Sequence, residues 1–539
     1  MVNTKLALLL ENHSVHQGWI DKFQQSGPSR SDEISKLETA VLHAYKNDPS
    51  LRNGLSRLAF YLLYKGQRQE ALRLFAEDAK GGRQTWLLKL RYAECLGAEG
   101  NADHALSIVR QAYQESEQAR DGRARCAWRL FWPTGNCLEL IQWIKEDDEE
   151  GRLSADWRLK LAQVQSSLGN KETAETEVQK AYLENPSLTD GYANCAWELF
   201  KKTGETETPI KWMEHDRKTK RITSDPLLNL AELYATVGNL STADQLVEQA
   251  YNSSPKLRDG YSRCYWRAFW GQGRYQECII GLARDVEENR ISLPWLLNLA
   301  EAHARAGDIE QAKLQVKRAY QADPTLKDGF TKSAWIYYHP RGEFEDLALL
   351  CGQDFETGRT SPAKALDYAT ALLLAGEQEK AYSIVENSYL RDDSLKDWFT
   401  SLADHALTYH PTLVTSLYEK DYERSRISQR GLKRFINHLV TTEQKNYVFN
   451  LADKIADEVD FDPYAEIAIS SYALEGKLPH SIGAKLLKKT KSAEYEFLQN
   501  MIAFAANKPL SSNKSNDHQD EAFFRAFQKQ LDCSFAKPQ

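Results

Sequence analysis

Apolar positions recur at helical spacing along most of the chain, and they come in pairs of short stripes. In the segment LLNLAELYATVGNLSTADQLVEQAYNSSP (227–255), Leu227, Leu230, Ala231 and Tyr234 form one stripe before Gly238. Ala243, Leu246, Val247 and Ala250 form a second stripe after it. Pro255 cannot continue a helix, so the second stripe closes there. Ala231, Ala243 and Ala250 are small enough to let the two helices approach closely. The pattern predicts a helical hairpin of about 34 residues that buries its apolar faces against copies of itself.

The hairpin repeats along a ruler. Turn-type glycines stand at Gly66, Gly100, Gly135, Gly169, Gly204, Gly238, Gly273, Gly307, Gly342 and Gly376, separated alternately by 34 and 35 residues. Each follows one helical stripe and precedes another, as a C-cap glycine does. A longer step of 69 residues relates Asp121, Asp190, Asp259, Asp328 and Asp397. It also relates Trp128, Trp197, Trp266 and Trp335, and Arg83, Arg152, Arg221, Arg290 and Arg359. The repeating unit is therefore a pair of hairpins.

A small residue, an aromatic, a turn glycine, two alanines and a closing proline occur at Ala231, Tyr234, Gly238, Ala243, Ala250 and Pro255. This pattern resembles the tetratricopeptide repeat family. The next such unit has Ala300, Gly307, Ala312, Ala319 and Pro324, and the preceding one has Ala162, Gly169, Ala174, Ala181 and Pro186. The alternate hairpins depart from the pattern. They carry Trp128, Trp197, Trp266 and Trp335 where the family prefers a small residue, so each tryptophan must spread its helices or be received by a neighbouring repeat. The resemblance implies an all-α fold: an α-α superhelical solenoid of tetratricopeptide-like helical hairpins in 69-residue double repeats. Residues 33–429 are expected to form the repeat array, with an N-terminal helical cap over 1–32 and a C-terminal helical cap over 430–510. A polar linker and a short amphipathic helix are expected over 511–539.

Composition narrows the function classes. A formal charge of −7 on 539 residues gives no reason to expect general affinity for nucleic acid or anionic lipid. The opening apolar run is too short for a signal sequence, and no stretch is long enough to span a membrane. Eight scattered cysteines lack metal-finger spacing and read as free, largely buried thiols in a reducing compartment, which places the protein in the cytoplasm. Cys126, Cys195 and Cys264 keep the 69-residue step, which favours packing over reactivity.

No phosphate-binding loop, dinucleotide fingerprint, nucleophile elbow or zinc motif is present, and His13 and His16 lack further ligands. The reading is non-enzymatic, with no cofactor. The aspartates of the Asp-Gly step are expected to cap the helices they begin, and the arginine ladder to favour helix C-termini. The acidic run KEDDEE (145–150) reads as a solvated helix end.

In tetratricopeptide arrays the first helix of each hairpin lines the concave groove. Carried over by register, the groove receives Arg125, Arg129 and Trp132, then Asn194, then Arg263, Arg267 and Trp270, then Lys332. Arginines at i and i+4 beside a tryptophan can grip a carboxylate or phosphate against an apolar wall. The alternative is that they pair with Glu94, Glu232 and Glu301 of adjacent helices. The expected role is a scaffold or adaptor that binds a protein or peptide segment. A second possibility is an accessory or regulatory subunit of an enzyme, for example a bacterial glycan-synthesis transferase.

Overall fold

The computed structural model describes residues 2–10, 21–23 and 31–442, together with 444 and 447. The N-terminal His13 and His16, most of the expected C-terminal cap and all of 511–539 lie outside these residues. Among the described residues the regular structure is entirely helical, with no strand, and the chain is a solenoid of helical hairpins. No described helix is long and apolar enough to cross a membrane.

The chain divides into two compact units. One comprises Met1–Arg274 with Arg284–Arg290, the other Tyr275–Ala283 with Ile291–Gln539. In the first, the hairpin Ser224–Thr236/Leu240–Ser253 shows how apolar pattern becomes packing. Leu227, Leu230, Ala231, Ala243, Leu246, Val247 and Ala250 are all buried, as the stripes predict. Leu228 and Leu233 are buried too, because the first helix is enclosed by neighbouring helices as well as its own partner. In the second unit, one core runs from Ala300 through Val316, Ala334 and Leu373 to Phe435 and Leu439. All ten turn glycines adopt φ between 71° and 91°, the left-handed region in which a Cβ is strained.

The hairpins are joined by a buried relay that recurs in both units. Tyr113 donates its hydroxyl proton to Asp147 Oδ1 at 2.7 Å and accepts the Gly122 N–H at 2.6 Å. The other oxygen, Asp147 Oδ2, accepts the Ala124 N–H at 2.9 Å. The same bonds link Tyr182, Asp216, Gly191 and Ala193. They recur at Tyr251, Asp285, Gly260 and Ser262, and in the second unit at Tyr320, Asp354, Gly329 and Thr331. A tyrosine and an aspartate 34 residues apart thereby satisfy the orphan N–H groups at the start of each modified hairpin. Burial, opposed by these hydrogen bonds, pushes the Asp147 and Asp216 carboxyls up to about 6.

This relay corrects the role expected of the Asp-Gly aspartates. Asp121 stands at the N-cap position with φ 60°, but its side chain accepts no capping N–H from its own helix. Its carboxylate accepts the N–H of Ser154 at 2.7 Å and the Ser154 hydroxyl at 2.9 Å, at the start of the next hairpin. Asp190 does the same with Thr223. In the left-handed conformation the side chain is directed away from its own helix, and Asp147 fills the vacated role. The acidic run is a helix end exposed in part, and the expectation is corrected at Asp147. Asp147 is wholly buried, Glu146 and Glu150 pair with Arg123, and Asp148 pairs with Arg158.

The arginine ladder does cap helix C-termini, but those of the preceding hairpin. Arg152 donates to the carbonyls of Tyr113, Ser116 and Ala119, and its guanidinium lies 4.4 Å from the Tyr113 ring centre. Arg221 lies similarly over Tyr182, and Arg359 over Tyr320. The ladder cysteines are buried, and burial pushes the Cys195 thiol up to about 12.

Candidate partner-binding face

In the first unit the site residues lie on first helices of modified hairpins. Gly122–Phe131 carries Arg125 and Arg129, and Gly260–Phe269 carries Arg263 and Arg267. Gly122 allows the close seating of its helix. A Cβ there would come within 2.7 Å of Val109 and 2.8 Å of Leu90.

A glutamate from the preceding first helix orients Arg129 in the first pair and both arginines in the second. Arg129 Nε donates to Glu94 Oε1 at 2.9 Å, while Arg91 holds Oε2 at 2.9 Å. One double repeat later, Glu232 is buried and accepts from both arginines. Arg263 Nε bonds Oε2 at 3.1 Å, and Arg267 bonds Oε1 through Nε at 3.0 Å and Nη2 at 2.8 Å. Arg263 also reaches Asn229 at 2.6 Å. The pairing alternative raised by the sequence is therefore realised at Glu94 and Glu232. It does not hide the cations, since Arg129 and Arg267 remain 55% and 47% exposed.

Arg125 differs from the others. It lies 3.8 Å from the Asp121 carboxylate and 5.5 Å from the Trp157 ring centre. Burial and then the charge of Arg91 pull its pKa below the usual arginine range.

The helices Gly122–Phe131 and Gly260–Phe269 also each begin a tryptophan stack. Trp128 and Trp132 stack with ring centres 4.6 Å apart, and Trp266 and Trp270 stack at 3.8 Å. Trp157 of the next hairpin meets Trp128 edge-on, and the Lys160 ammonium lies 5.1 Å from the Trp128 ring. The neighbouring repeat thus receives this tryptophan. Asn194 is exposed on the intervening helix Gly191–Thr203. In the second unit, Lys332 is exposed on the helix Gly329–Tyr337. Nearby, burial pushes the Glu301 carboxyl up, against the opposing charges of Lys332, Arg305 and Lys364.

A cavity of about 330 Å³ adjoins Arg129. Its lining combines the charged Arg68, Arg91, Arg129 and Glu94 with the apolar surface of Phe60, Leu63 and Tyr64. The sequence reading includes Arg129 but not Arg68 or Arg91, because neither keeps its type along the 69-residue step. Arg68 maps to Cys137 and Thr206, and Arg91 to Lys160 and Asn229. Among the described residues, no cluster of three or more His, Cys, Asp or Glu side chains is disposed to hold a metal.

Residues 294–313 match the tetratricopeptide repeat family. No curated protein sequence matches the chain. Among solved structures, a human IFIT1 dimer with PPP-AAAA is similar at 14% identity and a TM-score of 0.32, covering 79% of this chain and all of that one. A Cut9 chain of an APC/C hetero-tetramer, Cut9-Hcn1, is similar at 13% identity and a TM-score of 0.27, covering 79% of this chain and 99% of that one.

Proposed function

Taking the chain as a solenoid of the tetratricopeptide-like superfamily, we propose that it is a non-enzymatic scaffold, or adaptor, that binds a protein or peptide segment in the cytoplasm. In the first unit the contact residues are Arg125, Arg129, Trp132, Asn194, Arg263, Arg267 and Trp270; Lys332 holds the corresponding position in the second. The observation that carries this reading is the Glu232 clamp. A buried carboxylate fixes two arginines while leaving Arg267 half-exposed, with its guanidinium 5.6 Å from the Phe200 ring centre. Ordered guanidinium beside rigid aromatic surface is the composition of an interface anchor, because little side-chain entropy is lost on binding.

The test is affinity purification of the intact chain from its native cell, compared with an Arg129→Gln plus Arg267→Gln variant. Glutamine can still donate a hydrogen bond to each glutamate, which limits damage to the fold. Loss of a specific protein partner with unchanged helicity supports the reading; a partner set that survives both changes refutes it. Recovery of one enzyme whose activity requires this chain would identify the scaffold as an accessory subunit of that enzyme.

A further inference from the structure

The cavity beside Glu94 has a charge balance that the fold does not require. Three guanidiniums, from Arg68, Arg91 and Arg129, border it against the single carboxylate of Glu94. Glu94 is already bonded on both oxygens, to Arg129 and Arg91 at 2.9 Å each. Arg91 also lies over the Phe60 ring, 5.4 Å from its centre. Arg68 is exposed and forms no ion pair among the described residues. The equivalent positions in later repeats, Cys137 and Lys160, then Thr206 and Asn229, show that packing alone does not call for arginine at 68 and 91.

We infer that this cavity accepts an acidic side chain of a partner polypeptide together with an adjoining apolar side chain. The guanidiniums would take the carboxylate in charge-assisted hydrogen bonds, and Phe60, Leu63 and Tyr64 would cover the apolar neighbour. The mixed lining argues for a peptide. A phosphate alone would leave the apolar surface unused, and a volume of about 330 Å³ accommodates a pair of side chains. The inference rests on the scaffold reading and names the chemistry of the partner at one part of the face.

The probe is a phage-displayed library of random dodecapeptides selected on the intact chain, with the leading peptide then measured by fluorescence anisotropy. Enriched sequences are expected to carry Asp or Glu next to Phe, Leu, Ile or Tyr. Arg91→Gln should weaken the leading peptide by about tenfold or more, the loss of one charge-assisted contact. Arg68→Gln should also weaken it with no change in the unfolding midpoint, since Arg68 supports nothing in the fold. Enriched peptides without an acid, no enrichment at all, or affinities within about twofold for both variants would overturn the inference. So would a 5′-phosphorylated RNA dodecamer that binds more tightly than the peptide and displaces it. If peptide binding depends on Arg267 but not on Arg68 or Arg91, this cavity is the wrong place while the scaffold reading stands. If neither peptide nor cellular partner is retained, both fall.

Discussion

Tyr113→Phe removes one oxygen from the centre of one of the relays that join the hairpins. The ring stays, so the stack beneath Arg152 at 4.4 Å is kept and the change is confined to hydrogen bonding. Two bonds are lost: the hydroxyl donation to Asp147 at 2.7 Å and the Gly122 N–H bond at 2.6 Å. The first is charge-assisted, and the second leaves a buried donor unpaired. Together they amount to about 3 kcal/mol, with a range of about 2–5. Asp147 keeps only the Ala124 N–H and the Arg123 guanidinium at 3.1 Å.

The cost should depend on pH. Burial raises the Asp147 carboxyl from 3.8 to about 6 in the folded chain. A raised folded value means that this group favours folding fully below pH 3.8 and loses that contribution as pH rises through about 6. The hydroxyl opposes the shift by stabilising the charged form, so removing it penalises the folded chain most where Asp147 is ionised. Urea unfolding at pH 7.5 should show the larger loss and at pH 5 the smaller one. Because repeat arrays unfold in segments, hydrogen exchange at Gly122 and Ala124 is the sharper readout. A loss below about 0.5 kcal/mol at pH 7.5, or a larger loss at pH 5, would refute the relay as the joint between hairpins.

Other positions give independent checks. Gly122→Ala should destabilise by about 1–3 kcal/mol, because the new methyl meets Val109 at 2.7 Å, whereas Gly271→Ala, which meets nothing within 4 Å, should be neutral or stabilising in the same urea series. Arg152→Met should destabilise by about 1–2 kcal/mol in the same series through loss of its carbonyl contacts and its cation over Tyr113. In native alkylation followed by peptide mapping, Cys137 should react well before Cys126 and Cys195; equal rates would mean that these thiols are not enclosed as they appear.

The sequence makes the hairpins legible because their signals are local. A left-handed turn at Gly238, apolar stripes at Leu227 and Leu246, and a stop at Pro255 each act within a few residues. The relay is harder to read because its partners lie 34 residues apart and both types are common at surfaces. Tyr113, Tyr182, Tyr251, Tyr320 and Tyr389 do keep the 69-residue step, as do Asp147, Asp216, Asp285 and Asp354. Asp147, however, sits within KEDDEE, whose charge suggests solvent exposure, and Asp121 occupies the position where a local cap is expected. For the candidate face, register correctly brings Arg263 and Arg267 onto one helix and predicts their glutamate partner. The cavity escapes a search for periodicity because Arg68 and Arg91 break the period.

Site-specific photo-crosslinking tests the central claim most directly. A benzophenone amino acid would replace Trp132 or Trp270 on the proposed face, and Leu183 or Leu390, which are 82% and 84% exposed on second helices, as controls. On irradiation in the native cell, positions 132 and 270 should yield a discrete adduct with a protein partner, lost with Arg129→Gln plus Arg267→Gln, while positions 183 and 390 should not. Adducts only from the control positions, or none from positions 132 and 270, would contradict the account.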